Sequence, residues 1–551
     1  MRDTVGNTGA VSTEKSETTA TVGGRTNGPP NVVIIYADDL GYADLSFNKS
    51  SSASMAHTPS IDRICEEGLF LSGYMTHHVC SPSRGGLLTG RHYTEVGVGQ
   101  YVGGQLDNSI PNIAIAFPAA GYATACFGKC HKVTKIGVND YGFDEWAGFY
   151  GGGKDYHDRG TSWWNNDTQV TESGYGTYII GDDALQFVDD HAHEPFFLYV
   201  PHQCVHSPYD ILNTDLEEMC NIVSSNHPSL ACSSVKELVG SEGATIENVL
   251  QMYCSPGTEF DMNALDGTLP GFKDLVYYTM IYAMDKATGD LLDRLESQGL
   301  STNTIVVFTS DNGGVNNRGD NLPFYGHKQQ LWEGGIHVAA GIWWPGTLDA
   351  NQSPYSPGDN AYTNMTQYFD LYPTLMSAAG QTVDPSAELD GLNLYSNLLT
   401  RTPVRSGFDN CYYGIDDAWA AVRNDRWKLH FNRLPAGQML ELYDLDNDVS
   451  ESTNVADIYT NELHTLIDLM DAWYAEGDVS SSYMPVKGEI LPAYLEPAPF
   501  GDILEITAVQ TGALTDPDSE GVYIEFAKTD WGSGLYEFTH AGDVFQFDIY
   551  V

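Results

Sequence analysis

Val32-Val33-Ile34-Ile35-Tyr36, running on into Ala37-Asp38-Asp39-Leu40-Gly41, reads as a buried strand that ends in two carboxylates and a glycine. A second stretch of the same kind lies far downstream: Thr304-Ile305-Val306-Val307-Phe308-Thr309 runs on into Ser310-Asp311-Asn312-Gly313-Gly314. Between them the chain alternates strand, loop and helix, which predicts an α/β fold. In open α/β sheets ligands bind beyond the carboxyl ends of the strands. Each strand here delivers an oxygen-bearing pair at that end. Either pair alone is ordinary turn chemistry. Together they offer oxygen donors with no His or Cys ligand pattern beside them, which suits a hard cation, Ca²⁺ or Mg²⁺, better than zinc.

A third segment supplies chemistry: Cys80-Ser81-Pro82-Ser83-Arg84-Gly85-Gly86-Leu87-Leu88-Thr89-Gly90-Arg91. Pro82 pre-sets its φ and fits the first turn of a helix, so Gly85 to Leu88 reads as the helix that follows. Cys80 then sits at or just before a helix N-terminus, where free N–H groups and the dipole favour an anion. Arg84 adds a fixed charge with the fork geometry an oxyanion needs. A buried structural cysteine beside a capped helix is the plain alternative for this run on its own.

The run resembles the signature of the formylglycine-dependent sulfatases, C-x-P-S-R-x-x-L-x-T-G-R, within the alkaline-phosphatase-like superfamily. Other segments resemble that family in order. Ala37 to Leu45 is similar to its ADDLGYGDL, Thr58-Pro59-Ser60-Ile61-Asp62-Arg63 to its TPNLDRL, and Ser310 to Gly313 to its TSDNG. Gly121-Tyr122-Ala123-Thr124 with Gly128-Lys129-Cys130-His131 is similar to GYxT…GKWH, with Cys130 in place of Trp and Lys132-Val133 in place of Leu-Gly. Pro195 to Val200 followed by Val205-His206-Ser207-Pro208 is similar to PFFLYL…PHTP. Tyr325-Gly326-His327-Lys328 and Glu333-Gly334-Gly335-Ile336 resemble RGGK…EGGxR, with His337 where the family has Arg.

The resemblance implies a large mixed β-sheet flanked by helices, with a smaller C-terminal α+β subdomain built on an antiparallel sheet. It implies that Cys80 is oxidised to formylglycine by a formylglycine-generating or sulfatase-maturing enzyme. It also implies one divalent cation, Ca²⁺ with Mg²⁺ as the variant, held by Asp38, Asp39, Asp311, Asn312 and the modified Cys80. The implied nucleophile is the hydrated aldehyde, with Asp311 helping to remove its proton. Arg84, Lys129 and Lys328 would stabilise the sulfuryl oxygens. His206, helped by Lys328, would protonate the departing alcohol, and His131 would act on the second hydroxyl to expel sulfate. The implied substrate is a sulfated small molecule or carbohydrate. A phosphonate or phosphodiester hydrolase of the same superfamily and an inactive binding protein are the competing readings.

Composition bounds the rest. The 551 residues are 42% hydrophobic with 33 tyrosines, which predicts a packed large domain plus a smaller one. The net charge of −48, from 26 basic and 74 acidic residues, argues against nucleic acid and anionic membranes as partners. An acidic surface also repels sulfated substrates unless salt screens it, since the Debye length shrinks from ~10 Å at 0.1 M to ~3 Å at 1 M. That balance fits a salt-adapted extracellular enzyme as well as it fits simple solubility. No run of apolar residues is long enough for a membrane span.

Residues 1–30 are polar, read as a flexible tail, and show no signal peptide; the expected location is nonetheless secreted or periplasmic. Residues 31–404 are the expected catalytic domain, with an insertion near 209–272 that shapes the rim of the pocket. Residues 405–484 are the expected C-terminal subdomain, and 485–551 a β-rich extension with strands at 522–526 and 544–550. Without Cys80, eight of the nine cysteines remain, an even number that suits disulfides in an oxidising compartment. Cys130–Cys204 is one candidate bridge, because the loops carrying Lys129 and His206 should face one pocket. Asn48, Asn166, Asn351 and Asn364 head N-x-S/T sequons.

Overall fold

The computed structural model describes residues 28–52, 54–98, 106–107, 109–131, 141–157, 163–224, 271–348, 360–405, 411–415, 419–434, 437–475, 522–526 and 534–538. Most of the expected N-terminal tail and the heart of the insertion, with Cys232 and Cys254, lie outside these residues. So do Lys132-Val133, Asn351 and the strand expected at 544–550.

Two compact units are present. The first reaches Asp409 and includes Val449–Glu451; the second comprises Asn410–Asp448 and the described residues from Ser452 onward. The first is built on one large sheet. Its strands are β1 (Asn31–Ala37), β2 (Leu69–Leu71), β4 (Ala123–Lys129), β5 (Glu145–Phe149), β6 (Trp163–Asn165), β7 (Thr168–Val170), β8 (Phe196–Pro201), β9 (Thr304–Ser310), β10 (Ala340–Trp343) and β11 (Ala361–Tyr362). They lie in the order β11-β2-β10-β9-β1-β8-β4-β5-β6-β7. A short strand β3 (Tyr74–Met75) pairs separately with β12 (Thr366–Gln367).

The two apolar runs read from the sequence are neighbours. β1 and β9 pair in parallel, with Ala37 level with Ser310, so the two acidic pairs emerge side by side. β8 flanks β1 on its other side and β4 flanks β8, both in parallel. Five adjacent parallel strands, β9, β1, β8, β4 and β5, therefore send their carboxyl ends to one edge of the sheet; Asp38, Asp311 and Lys129 lie at those ends and His206 in the turn beyond β8. Mixed character comes from the flanks, where β10 and β6 run antiparallel to β9 and β5.

Strand alternation explains the layering. Val33 and Ile35 face one core with Leu275, Met284 and Leu291, while Val32, Ile34 and Tyr36 face another with Leu87, Phe117 and Leu371. The first core contains helix α6 (Phe272–Ser297). Its sequence pattern predicts Val276 to Leu295; the helix begins four residues earlier because Gly271, in a left-handed conformation, supplies its N-cap. Asp285 on α6 accepts the N–H groups of Ser60 at 2.9 Å and Ile61 at 2.7 Å, at the start of α1 (Pro59–Glu67). Asp44 ties the loop after β1 to the same helix, accepting from Tyr277 Oη at 2.6 Å, Tyr278 Oη at 3.0 Å and Gly41 N at 2.8 Å.

In the second unit a meander of β13 (Cys411–Ile415), β14 (Trp419–Arg423), β15 (Trp427–Leu434) and β16 (Gly437–Asp444) forms an antiparallel sheet. Helix Thr460–Ala475 packs Leu463, Leu466, Ile467 and Met470 with Val422, Leu429 and Leu442 of that sheet. The expected strand at Val522–Phe526 is present as β17, paired antiparallel with β18 (Gly534–Phe538).

The expected Cys130–Cys204 bridge is corrected. Among the described residues, Cys65, Cys80, Cys126, Cys130 and Cys204 are free buried thiols. Cys130 and Cys204 cannot bridge because they belong to opposite faces of the sheet, Cys204 in the core with α6 and Cys130 in the other. Cys204 Sγ donates to Met280 O at 3.1 Å, and Cys130 Sγ instead lies 3.7 Å from Cys126 Sγ.

Candidate active site

Cys80 opens helix α2 (Cys80–Thr89), with Val79 as an extended N-cap residue. Ser83 builds that start: its hydroxyl bonds the carbonyls of His77 and Val79 and accepts His77 N at 3.2 Å. Thr76 links the same turn to the end of β9, donating to Asp311 O at 2.6 Å. The helix ends at Gly90, whose φ of 68° and N–H bond to Gly86 O at 2.8 Å form a left-handed C-cap. Every residue of this helix is buried. The nucleophile candidate is thus held by a rigid element.

The charged residues interlock around it. Arg84, fully buried, donates from Nε at 3.0 Å and Nη2 at 2.7 Å to Asp311 Oδ2, and from Nη1 to Lys129 O at 3.2 Å. Its guanidinium lies 5.2 Å from the centre of the Tyr36 ring. Lys129 Nζ donates to Asp38 Oδ2, and Lys328 Nζ to Asp39 Oδ1. Asn312 Nδ2 also reaches Asp39 Oδ1, at 2.9 Å, and Asp311 Oδ1 accepts Asp39 N at 3.2 Å. Asp39 sits at φ 65° and His131 at φ 34°, conformations that a rigid surround must hold in place.

These contacts set the electrostatics. Burial works against ionised Asp39, but Lys328, His206 and Lys129 outweigh it and draw its carboxyl down to about 2. Burial, reinforced by Asp311, pushes Asp38 well above the usual carboxylate range despite Lys129. Burial also lifts the Cys80 thiol to about 11 against the pull of Lys129 and Lys328. An unmodified Cys80 is therefore a poor thiolate nucleophile at neutral pH. Burial and Lys129 lower His206 to about 4, partly offset by Asp39. Its Nδ1 bonds Ser207 O at 2.6 Å, which leaves Nε2 toward Asp39 Oδ2, 3.9 Å away.

The donor set fits a hard cation on its own evidence. Ligand atoms of Asp38, Asp39 and Cys80 lie within 4.8 Å of one another. Asp38 Oδ1 and Asn312 Oδ1 are buried oxygens with no hydrogen-bond partner. Such oxygens cost free energy unless something satisfies them, and a divalent cation does so.

The structure thus brings Asp38, Asp39, Cys80, Arg84, Lys129, His206, Lys328, Asp311 and Asn312 into one cluster. It places His131 immediately beyond β4, against Gly152. His337, where the family has Arg, turns away from the cluster: it bonds Glu333 at 3.0 Å and Ser72 O at 2.6 Å and stacks on Phe324 at 4.0 Å. Gln203 and the glycines at 151–153 were not singled out by any motif; their part shows only in three dimensions.

Comparison with known proteins agrees with this arrangement. A family model described as Sulfatase matches residues 30–381. An uncharacterized sulfatase of Escherichia coli, YdeN, is 27% identical over 428 residues, covering 67% of this chain and 66% of that protein. Human N-acetylgalactosamine-6-sulfatase is 28% identical over 441 residues, covering 73% of this chain and 72% of that protein. Among solved structures, Ps i-CgsB in complex with k-i-k-neocarrahexaose superposes with a TM-score of 0.66 at 24% identity, covering 85% of this chain and 98% of that one.

Proposed function

Because the chain belongs to the sulfatase family, we propose that it hydrolyses sulfate monoesters of a carbohydrate, with Cys80, as formylglycine, providing the nucleophile. The observation that carries this reading is the position of Cys80: first residue of a buried helix, within 4.8 Å of the ligand atoms of Asp38 and Asp39. The carbohydrate part is favoured by the human relative, an N-acetylgalactosamine-6-sulfatase.

Asp38, Asp39, Asp311, Asn312 and residue 80 would hold one divalent cation, Ca²⁺ or Mg²⁺, which when bound polarises the nucleophile and the sulfate oxygens. The chain's own groups do the rest. Arg84 commits two N–H donors to Asp311 Oδ2, so its part is to orient that carboxylate. Lys129 and Lys328 hold fixed positive charge beside residue 80, where charge on the sulfuryl oxygens is stabilised without reorganisation. His206 keeps its Nδ1–H on Ser207 O, so Nε2 faces the leaving oxygen; the negative charge of a bound sulfate ester favours the imidazolium, and that form delivers its Nε2 proton to the departing alkoxide. His131, at the end of β4, takes the proton whose removal releases sulfate.

Initial rates on 4-nitrophenyl sulfate, a 6-sulfated amino sugar and a phosphonate monoester test the reading. Sulfate esters are expected to be cleaved faster, with loss of activity in chelator and recovery in Ca²⁺ or Mg²⁺. A faster phosphonate reaction would transfer the site to the phosphonate-hydrolase branch. No turnover by protein carrying the aldehyde would leave the binding-protein reading.

A further inference from the structure

Beyond β5, Gly151-Gly152-Gly153 pass directly against both histidines. A methyl group added at Gly152 would lie 3.0 Å from His131 Nε2, and one at Gly153 would lie 3.0 Å from His206 Nδ1 and 3.1 Å from Ser207 O. Neither glycine has a positive φ, so backbone conformation does not demand glycine here; space does. Gly151 differs: a methyl there meets only the Gly153 backbone, O at 3.4 Å and N at 3.9 Å, ordinary contacts.

Gln203 ties this loop to the turn that carries His206. Its buried amide accepts Lys154 N at 3.1 Å and donates to Lys154 O, so one side chain satisfies both backbone groups of that residue. The backbone carbonyl of Gln203 accepts His206 N at 2.8 Å. Further along the loop, Tyr156 donates its hydroxyl to His206 O at 3.0 Å. A buried amide that makes this full set of bonds fixes one backbone segment against another.

We propose that Gln203 and the Gly152-Gly153 wedge are positioning residues that hold the imidazoles of His206 and His131 at their working angles. The inference rests on the sulfatase reading in one respect, the assignment of His206 as the acid for the leaving oxygen. With that assignment, loosening or crowding the wedge matters most where the leaving group needs a proton. A sugar alkoxide needs one; a nitrophenolate departs without it.

The test compares kcat on a sugar 6-sulfate and on 4-nitrophenyl sulfate for Gly153→Ala, Gln203→Leu and the control Gly151→Ala. Misplacing a proton donor by about an ångström should cost about 10- to 100-fold on the sugar sulfate and less than about threefold on the aryl sulfate. Gly151→Ala should keep the wild-type ratio. Gln203→Leu retains side-chain volume, so it carries the test if Gly153→Ala does not fold. Equal losses on both substrates, or none, would overturn the proposal. If the wild type cleaves neither substrate, the sulfatase reading fails separately, and carbethoxylation of His206 by diethylpyrocarbonate, followed by peptide mass, decides the positioning claim. A several-fold altered rate in the two variants supports it, and an unchanged rate rejects it.

Discussion

At the scale of single residues the site is a set of opposed charges. Lys129 stands on Asp38, Lys328 on Asp39 and Arg84 on Asp311, all with little or no side-chain exposure. Each carboxylate is thus directly paired, and removing either partner leaves an uncompensated buried group. Asp38→Asn removes a ligand charge and should weaken Ca²⁺ binding by about tenfold or more, read by calorimetric titration, because affinity follows the number of charged ligands; an unchanged affinity would remove Asp38 from the ligand set. Most of these residues were legible in the sequence: Asp38, Asp39 and Asp311 end apolar runs, and Arg84, Lys129 and Lys328 lie in motifs that resemble the family's. Gln203, Gly152 and Gly153 were not: their roles depend on a contact between the loop after β5 and the turn after β8, and no local spacing encodes it.

At the scale of elements, the apolar runs predicted β1 and β9, and their parallel pairing explains why Asp38 and Asp311 meet. The pattern also foretold α6 within a few residues, and the resemblance foretold the antiparallel sheet that contains β14 and β15. The sheet's far edge, β6 and β7, was not legible, since strands of three residues leave no period to read. The Cys130–Cys204 expectation failed because two loops near one pocket carry no information about which face of the sheet each thiol occupies. Asp285 illustrates how one element fixes another. Its Oδ1 accepts both N–H groups at the start of α1, and burial raises its carboxyl to about 7. A carboxyl with a raised folded value contributes most below the unfolded value near 4 and loses that contribution as pH rises through about 7. Asp285→Asn keeps the acceptor without the charge. The melting temperature of the wild type relative to this variant should therefore be higher at pH 5 than at pH 8; the opposite slope would contradict the assignment. Asp285→Ala, which removes the acceptor, should cost about 1–2 kcal/mol in urea denaturation.

At the scale of the whole molecule the decisive quantity is the net charge of −48. A sulfated polysaccharide approaches this surface against like charge, whereas an aryl sulfate carries a single charge. Screening to ~3 Å at 1 M should raise kcat/KM for the polyanion several-fold between low and high salt and change that for 4-nitrophenyl sulfate little. Stopped-assay rates across a salt series check this, and a fall with salt for the polyanion would show that a local positive field governs capture instead. No described helix is long and apolar enough to cross a membrane.

The account turns on what residue 80 is in the working protein. The direct measurement is the mass of the proteolytic peptide containing Cys80, from protein made in its native host. Conversion to formylglycine replaces sulfur by oxygen and removes two hydrogens, a loss of about 18 Da, and the account predicts that shifted peptide. Active protein in which the peptide carries only unmodified cysteine would contradict it.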